Sequence, residues 1–159
     1  MSDLKQIVEK YTTPTLNGKV VDLYKLDKNE EFKAAVKEQV EKLLQEIPHT
    51  CVLIPAGKAR LSNPLRELIM ELAMIVQLKT IVTGAPMNLK KLIYGAPHDV
   101  LLIKQSFKTG KGLQKDIADI REQGCNVKVL CLVAHSKSKL DEFAAENNVE
   151  ATALVYLNE

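Results

Sequence analysis

The chain has 159 residues, of which 46% are apolar and 26% charged, and its 22 Lys and Arg against 20 Asp and Glu leave a net charge of +2. That length suits one domain with a sizeable core, and that composition excludes disorder, collagen and coiled coil. The near-neutral charge gives no bulk signal for a nucleic-acid or membrane partner. With 4% aromatics and no tryptophan there is no stacking platform for single-stranded nucleic acid either.

Leu4, Ile7 and Val8 share one face of a predicted helix over 3–11. Pro14 and Asn17-Gly18 punctuate the chain, and Val20, Val21, Leu23 and Tyr24 read as a strand. Asn29 caps a predicted helix to Glu46, with Phe32, Val36, Val40, Leu43 and Leu44 as its apolar stripe, and Pro48 ends it. Thr50 to Ile54 is a short continuous apolar run, which marks a strand buried on both faces of a parallel sheet. Residues 55–60 form a loop, Asn63-Pro64 opens a helix to about Gln77, and Thr80 to Thr83 make the next strand. Residues 84–97 are an irregular excursion rich in turn-forming residues. Val100 to Ile103 is a third apolar run. It feeds a polar turn from Lys104 to Lys111 and then a helix carrying Leu113, Ile117 and Ile120, stopped by Gly124. A strand over Val127 to Val133, a helix through Leu140, Phe143 and Ala144, and a last strand from Ala151 to Tyr156 complete the chain.

Strands alternating with helices predict an α/β fold: a parallel twisted sheet flanked by helices. The expected organisation is one domain over 1–159, with a small N-terminal helix/strand portion to about residue 48 and the core sheet over about 49–156. Ligands of such sheets bind at the carboxyl ends of the strands. The loops that matter are therefore 55–63, 84–97, 104–112 and 134–137.

Cys51, Cys125 and Cys131 are odd in number and lack metal-ligand spacing. They read as reduced core residues of an intracellular protein. Met1 to Gln6 show no apolar signal stretch, and no run of about 18 apolar residues occurs, so a cytoplasmic protein is expected. His49, His98 and His135 are scattered over three loops and read as surface residues, with no metal site expected.

The most informative stretch is Val100 to Leu113. A buried strand enters a glycine-containing turn and then a helix, whose first N–H groups lack intrahelical partners and whose dipole favours an anion. Gly110 and Gly112 allow close approach, Lys108 and Lys111 add charge, and Thr109 adds a hydroxyl. A solvated turn would carry similar residues. Spacing excludes a Walker loop. Lys104, Lys108, Lys111 and Lys115, with Lys58, Lys79, Lys90 and Lys91, would make one sheet edge positive. Phosphorylated small molecules or a nucleic-acid backbone would both suit such an edge, as would a plain solubilising surface.

These segments resemble the type I phosphoribosyltransferases, and orotate phosphoribosyltransferase most. The family signature is an apolar strand, two acidic residues, a short link, a Thr/Gly turn and a helix, as over Val100 to Leu113. Leu16 to Tyr24 is similar to the N-terminal hairpin of the orotate enzymes, Val52 to Lys58 to their second phosphate loop, and Leu92 to Gly95 to the segment before the signature strand. The resemblance implies that Lys108, Thr109, Gly110, Lys111 and Gly112 bind a 5′-phosphate and that Ala56, Gly57 and Lys58 bind pyrophosphate. It implies a phosphorylated small molecule, phosphoribosyl pyrophosphate (PRPP) or a nucleotide, as ligand, and a homodimer as the assembly. Mg²⁺ is implied only if the chain is catalytically active.

The two acidic positions are Lys104 and Gln105 here, which changes the formal charge at that point from −2 to +1. Transfer passes through a cation-like ribose, and losing one well-placed electrostatic group costs about 10²–10³ in rate. The lysine-rich catalytic loop of the orotate enzymes also has only a short counterpart, Pro86 to Tyr94, without its histidine. The expected function is a phosphoribosyltransferase-fold protein with impaired catalysis that binds a phosphorylated ligand, as the family's non-catalytic regulators do. An active orotate or nucleobase transferase, with Asp99 or Asp116 supplying the missing charge, is the alternative. A nucleic-acid or protein-binding module is the third reading.

Overall fold

The computed structural model describes residues 2–16, 18–46, 50–54, 67, 80–83 and 99–158. Helix α1 (Ser2–Lys10) leads into an antiparallel hairpin of β1 (Thr12–Thr15) and β2 (Gly18–Val21), in register from Thr12 opposite Val21 to Thr15 opposite Gly18. A short helix α2 (Leu23–Leu26) and a long helix α3 (Glu30–Glu46) follow. The expected strand therefore ends at Val21 rather than running through Leu23 and Tyr24. Asp22 is the reason: its carboxylate accepts the Lys25 N–H and caps a helical turn at that point. Asn29 caps α3 as expected, its side-chain oxygen accepting the Phe32 N–H at 2.9 Å.

The core is a five-stranded sheet of β3 (Thr50–Ile54), β4 (Thr80–Thr83), β5 (Asp99–Phe107), β6 (Asn126–Ala134) and β7 (Glu150–Tyr156). The order across it is β4-β3-β5-β6-β7, and every pairing is parallel. Helix α4 (Lys111–Glu122) connects β5 to β6, and α5 (Lys137–Glu146) connects β6 to β7. Chain order runs outward from β3 to β4, then returns to the other side of β3 at β5. The crevice beyond the carboxyl ends of β3 and β5 is thus the topological switch point, where open parallel sheets bind ligands.

Alternation along β5 builds two apolar layers. Leu101 and Ile103 pack with Leu4, Val8, Leu26, Phe32 and Val36 from the N-terminal helices. Val100 and Leu102 pack with Leu113, Ile117, Ile120, Leu140 and Phe143 from α4 and α5. Each buried Leu, Ile or Phe contributes about 1.5–3 kcal/mol. An exposed ion pair such as Lys137–Asp141 contributes ~1 kcal/mol at most, so the two layers hold the sheet between its helices. Gly124 (φ +80°) ends α4 one residue past its cap, as the sequence indicates.

Strand β5 reaches Phe107, three residues beyond the point where the sequence turns polar. Lys104 is not the start of a turn: it pairs with Cys131 in register and is only 7% exposed. The predicted helix after Asn63 and the excursion over 84–97 lie outside the described residues.

Candidate functional site

The turn from β5 to α4 stands at the switch point. Lys108 and Thr109 bend away from the strand and are exposed, Gly110 takes φ +76°, and α4 starts at Lys111. Gly110 is obligatory there for two reasons. Its backbone is left-handed, which disfavours any side chain. A Cβ at that point would also lie 2.6 Å from Phe143 Cδ2 and 2.8 Å from Phe107 Cε2. Those two rings form an edge-to-face pair with centroids 5.3 Å apart, so the aromatic contact fixes the shape of the turn.

Gly110 accepts the Gln114 N–H at 2.9 Å, and no side chain caps the helix start. The first N–H groups of α4 have no intrahelical acceptor, and no acidic residue lies in the first turn. Gly112 sits in that first turn, and a Cβ on it would meet nothing within 4 Å. Packing within the chain does not ask for glycine at 112; close approach by a ligand would. Lys108 and Lys111 are exposed beside these donors.

Lys104 and Gln105 depart from this outward-facing group. Lys104 Nζ lies 3.1 Å from Asp116 Oδ2 on α4, with the two side chains 8% and 17% exposed. Gln105 points to the opposite face of the sheet, where its Nε2 donates to the Oδ2 of Asp27, a residue only 1% exposed at the end of α2. Lys104 is therefore withdrawn from the expected basic edge, while Lys108, Lys111 and Lys115 stay on it. Asp116 is engaged by Lys104. Asp99 opens β5 at the amino end of the sheet, beside Asn126, away from the turn. Neither acid stands free beside the turn.

Asp27 carries no local signal in the sequence, since its partner lies 78 residues away. His135 is half-buried rather than a surface residue. Its N–H donates to Phe107 O at 2.9 Å and its carbonyl accepts from Asn158 Nδ2 at 2.9 Å, which ties the loop after β6 to the turn after β5. Burial, and then the charge of Lys108, hold its imidazole below the usual histidine range. Cys125 and Cys131 are buried, and burial pushes the Cys131 thiol up to about 12. Ala56, Gly57 and Lys58 lie outside the described residues, as do His49, His98, Lys58, Lys79, Lys90 and Lys91. The strand preceding Ala56 to Lys58 in sequence, β3, is the parallel neighbour of β5.

Among the described residues no cluster of three or more His, Cys, Asp or Glu is placed to hold a metal, and no helix is long and apolar enough to cross a membrane. A groove of about 820 Å³ opens at the amino ends of β5 to β7, lined in part by Asp99, Arg121, Lys128 and Glu150. It lies at the opposite end of the sheet from the glycine turn. Its Arg121 is committed to the carbonyls of Asn147 and Asn148 at 2.6 and 2.5 Å.

Strand order, switch point and turn together define the type I phosphoribosyltransferase fold, which this chain has. Among solved structures, it is similar to orotate phosphoribosyltransferase from Aeropyrum pernix, at 18% identity and a TM-score of 0.65 over 97% of this chain and 94% of that one. It is similar to adenine phosphoribosyltransferase from Rhodothermus marinus, at 15% identity and a TM-score of 0.66 over 99% of this chain and 100% of that one. It is similar also to the orotate phosphoribosyltransferase of Mycobacterium tuberculosis in complex with PRPP, at 16% identity and a TM-score of 0.62 over 98% and 95%. No protein-family model and no curated protein matches the chain.

Proposed function

We propose that this chain is a phosphoribosyltransferase-fold protein that binds a phosphorylated ligand, a nucleotide or PRPP, at the β5–α4 turn and is impaired in phosphoribosyl transfer. The observation that carries the reading is the contrast within one loop. Phe107 to Gly112 keep an open helix start with exposed lysines, whereas Lys104 and Gln105 replace both acids and face other partners. The same fold in the Mycobacterium tuberculosis orotate enzyme is described in complex with inorganic phosphate and with PRPP, which supports an oxyanion as ligand.

A cation-like ribose at this turn would meet an ammonium and an amide where carboxylates are needed, and a donor set of that kind does not fit Mg²⁺ either. A regulatory role, sensing the ligand without consuming it, follows from binding without turnover. A homodimer in the cytoplasm is the assembly and location that go with this reading, and exposed Leu16, Val20 and Tyr24 on and beside the N-terminal hairpin offer apolar surface for a second copy.

Calorimetry with PRPP and with adenosine and orotidine monophosphates tests the binding, and turnover of orotate and adenine tests the chemistry. Binding that weakens at least about tenfold in Lys108→Ala, without turnover, is the expected result. Efficient transfer to either base would establish the active-enzyme alternative instead.

A further inference from the structure

In the fold this chain shares, the two positions after the apolar signature strand are where the resemblance places acids and their Mg²⁺. Here each side chain is held by a carboxylate from another part of the chain, and the two lie on opposite faces of β5. Lys104 is drawn to Asp116 under α4, and Gln105 to Asp27 under the N-terminal helices. An ammonium cannot ligate a cation, and the amide nitrogen of Gln105 donates to a carboxylate that is itself 1% exposed. Mg²⁺ requires oxygen ligands in near-octahedral geometry, usually carboxylates together with substrate phosphate. The residues present do not fit it.

Among the described residues, what remains at the turn is electropositive: the first N–H groups of α4, Lys108 and Lys111. A phosphomonoester dianion matches that set without a counter-cation. A diphosphate donor that arrives as its Mg²⁺ complex would find neither of the acids that hold it.

We infer, on the phosphate-binding reading above, that Lys104–Asp116 and Gln105–Asp27 have converted the two signature positions into internal cross-links, and that the site takes a sugar or nucleoside monophosphate without a divalent cation.

The test uses the full chain and ribose 5-phosphate. Calorimetry in Mg²⁺ and in EDTA is expected to give affinities within about twofold, and electron paramagnetic resonance with Mn²⁺ to show no protein-bound cation in either the presence or absence of the sugar phosphate. A gain of about tenfold or more with Mg²⁺, or tightly bound Mn²⁺, overturns the inference and leaves phosphate binding standing. No binding of ribose 5-phosphate in either buffer overturns the ligand half of this inference, and the phosphate reading falls with it only where PRPP and the two nucleotides also fail to bind. The cross-links are then decided by stability alone. Lys104→Asp, which sets two carboxylates against each other, is expected to lower Tm by roughly 10 °C, and the swap Lys104→Asp with Asp116→Lys to recover much of that fall. An unchanged Tm in Lys104→Asp overturns the internal pairing.

Discussion

Removing the Lys104 charge should expose how much the fold depends on the buried ion pair between β5 and α4. In Lys104→Met the Asp116 carboxylate, 17% exposed, loses an ammonium at 3.1 Å. At an effective dielectric of about 20 the Coulomb attraction at that distance is about 5 kcal/mol, part of which was spent on desolvating both groups. Breaking such a pair from one side typically costs about 3–5 kcal/mol, and the residual hydration of Asp116 places this case near 3. For a domain stable by about 5–15 kcal/mol that is a large fraction, and at a urea slope of roughly 2 kcal/mol/M it moves the midpoint by about 1.5 M. Asp116→Leu should be similarly harmful, because it strands the buried ammonium. The double variant should fall well short of the sum, near neutrality, since both desolvation penalties vanish together. Urea unfolding of all four proteins, followed by circular dichroism, measures the cycle. A loss below about 0.5 kcal/mol in Lys104→Met, or simple additivity in the double variant, would refute the argument.

Gly110→Ala should lose roughly 2 kcal/mol or more, because it combines a positive φ with a methyl group against the Phe107 and Phe143 rings, and thermal unfolding reads it directly. Gly112→Ala should do the reverse on stability, gaining up to about 0.5–1 kcal/mol of helix propensity in open space while weakening phosphate affinity; equal or tighter binding in calorimetry counts against a ligand at that glycine. His135 is held below its usual pKa in the folded chain, so the unfolded chain binds its proton first as pH falls. The stability it contributes is present above about pH 6.5 and is lost on acidification below that, and His135→Gln should flatten this part of the profile in urea unfolding at pH 7.5 and 5.5.

The parallel sheet was legible because Cys51 to Ile54, Val100 to Ile103 and Val129 to Val133 are continuous apolar runs that no amphipathic helix would produce, and in β5 and β6 those runs are buried on both faces. The helix start at Asn29 was also a local matter, settled by a side-chain hydrogen bond to a residue three positions on. Two things were not. The end of β5 was hidden because Lys104, Gln105 and Ser106 look like solvent-facing residues until Asp116 and Asp27 are brought to them, one a helical turn into α4 and the other 78 residues back. The turn at Leu23 was lost because its apolar alternation fits a strand, while one hydrogen bond to Asp22 decides for a helix. The glycine turn itself was readable as a turn. That its shape is fixed by a ring from α5 was not, because Phe143 looks like any other core residue on its helix.

The closeness of the Gly110 Cα to two aromatic rings gives the molecule a built-in reporter. Protons so near circulating π electrons resonate far from ordinary glycine frequencies, and they shift with small rotations of either ring. The displaced α-proton signals, read in a proton–carbon correlation spectrum, would follow an oxyanion settling on the neighbouring residue. They would do so with no dye, fluorophore or engineered tag.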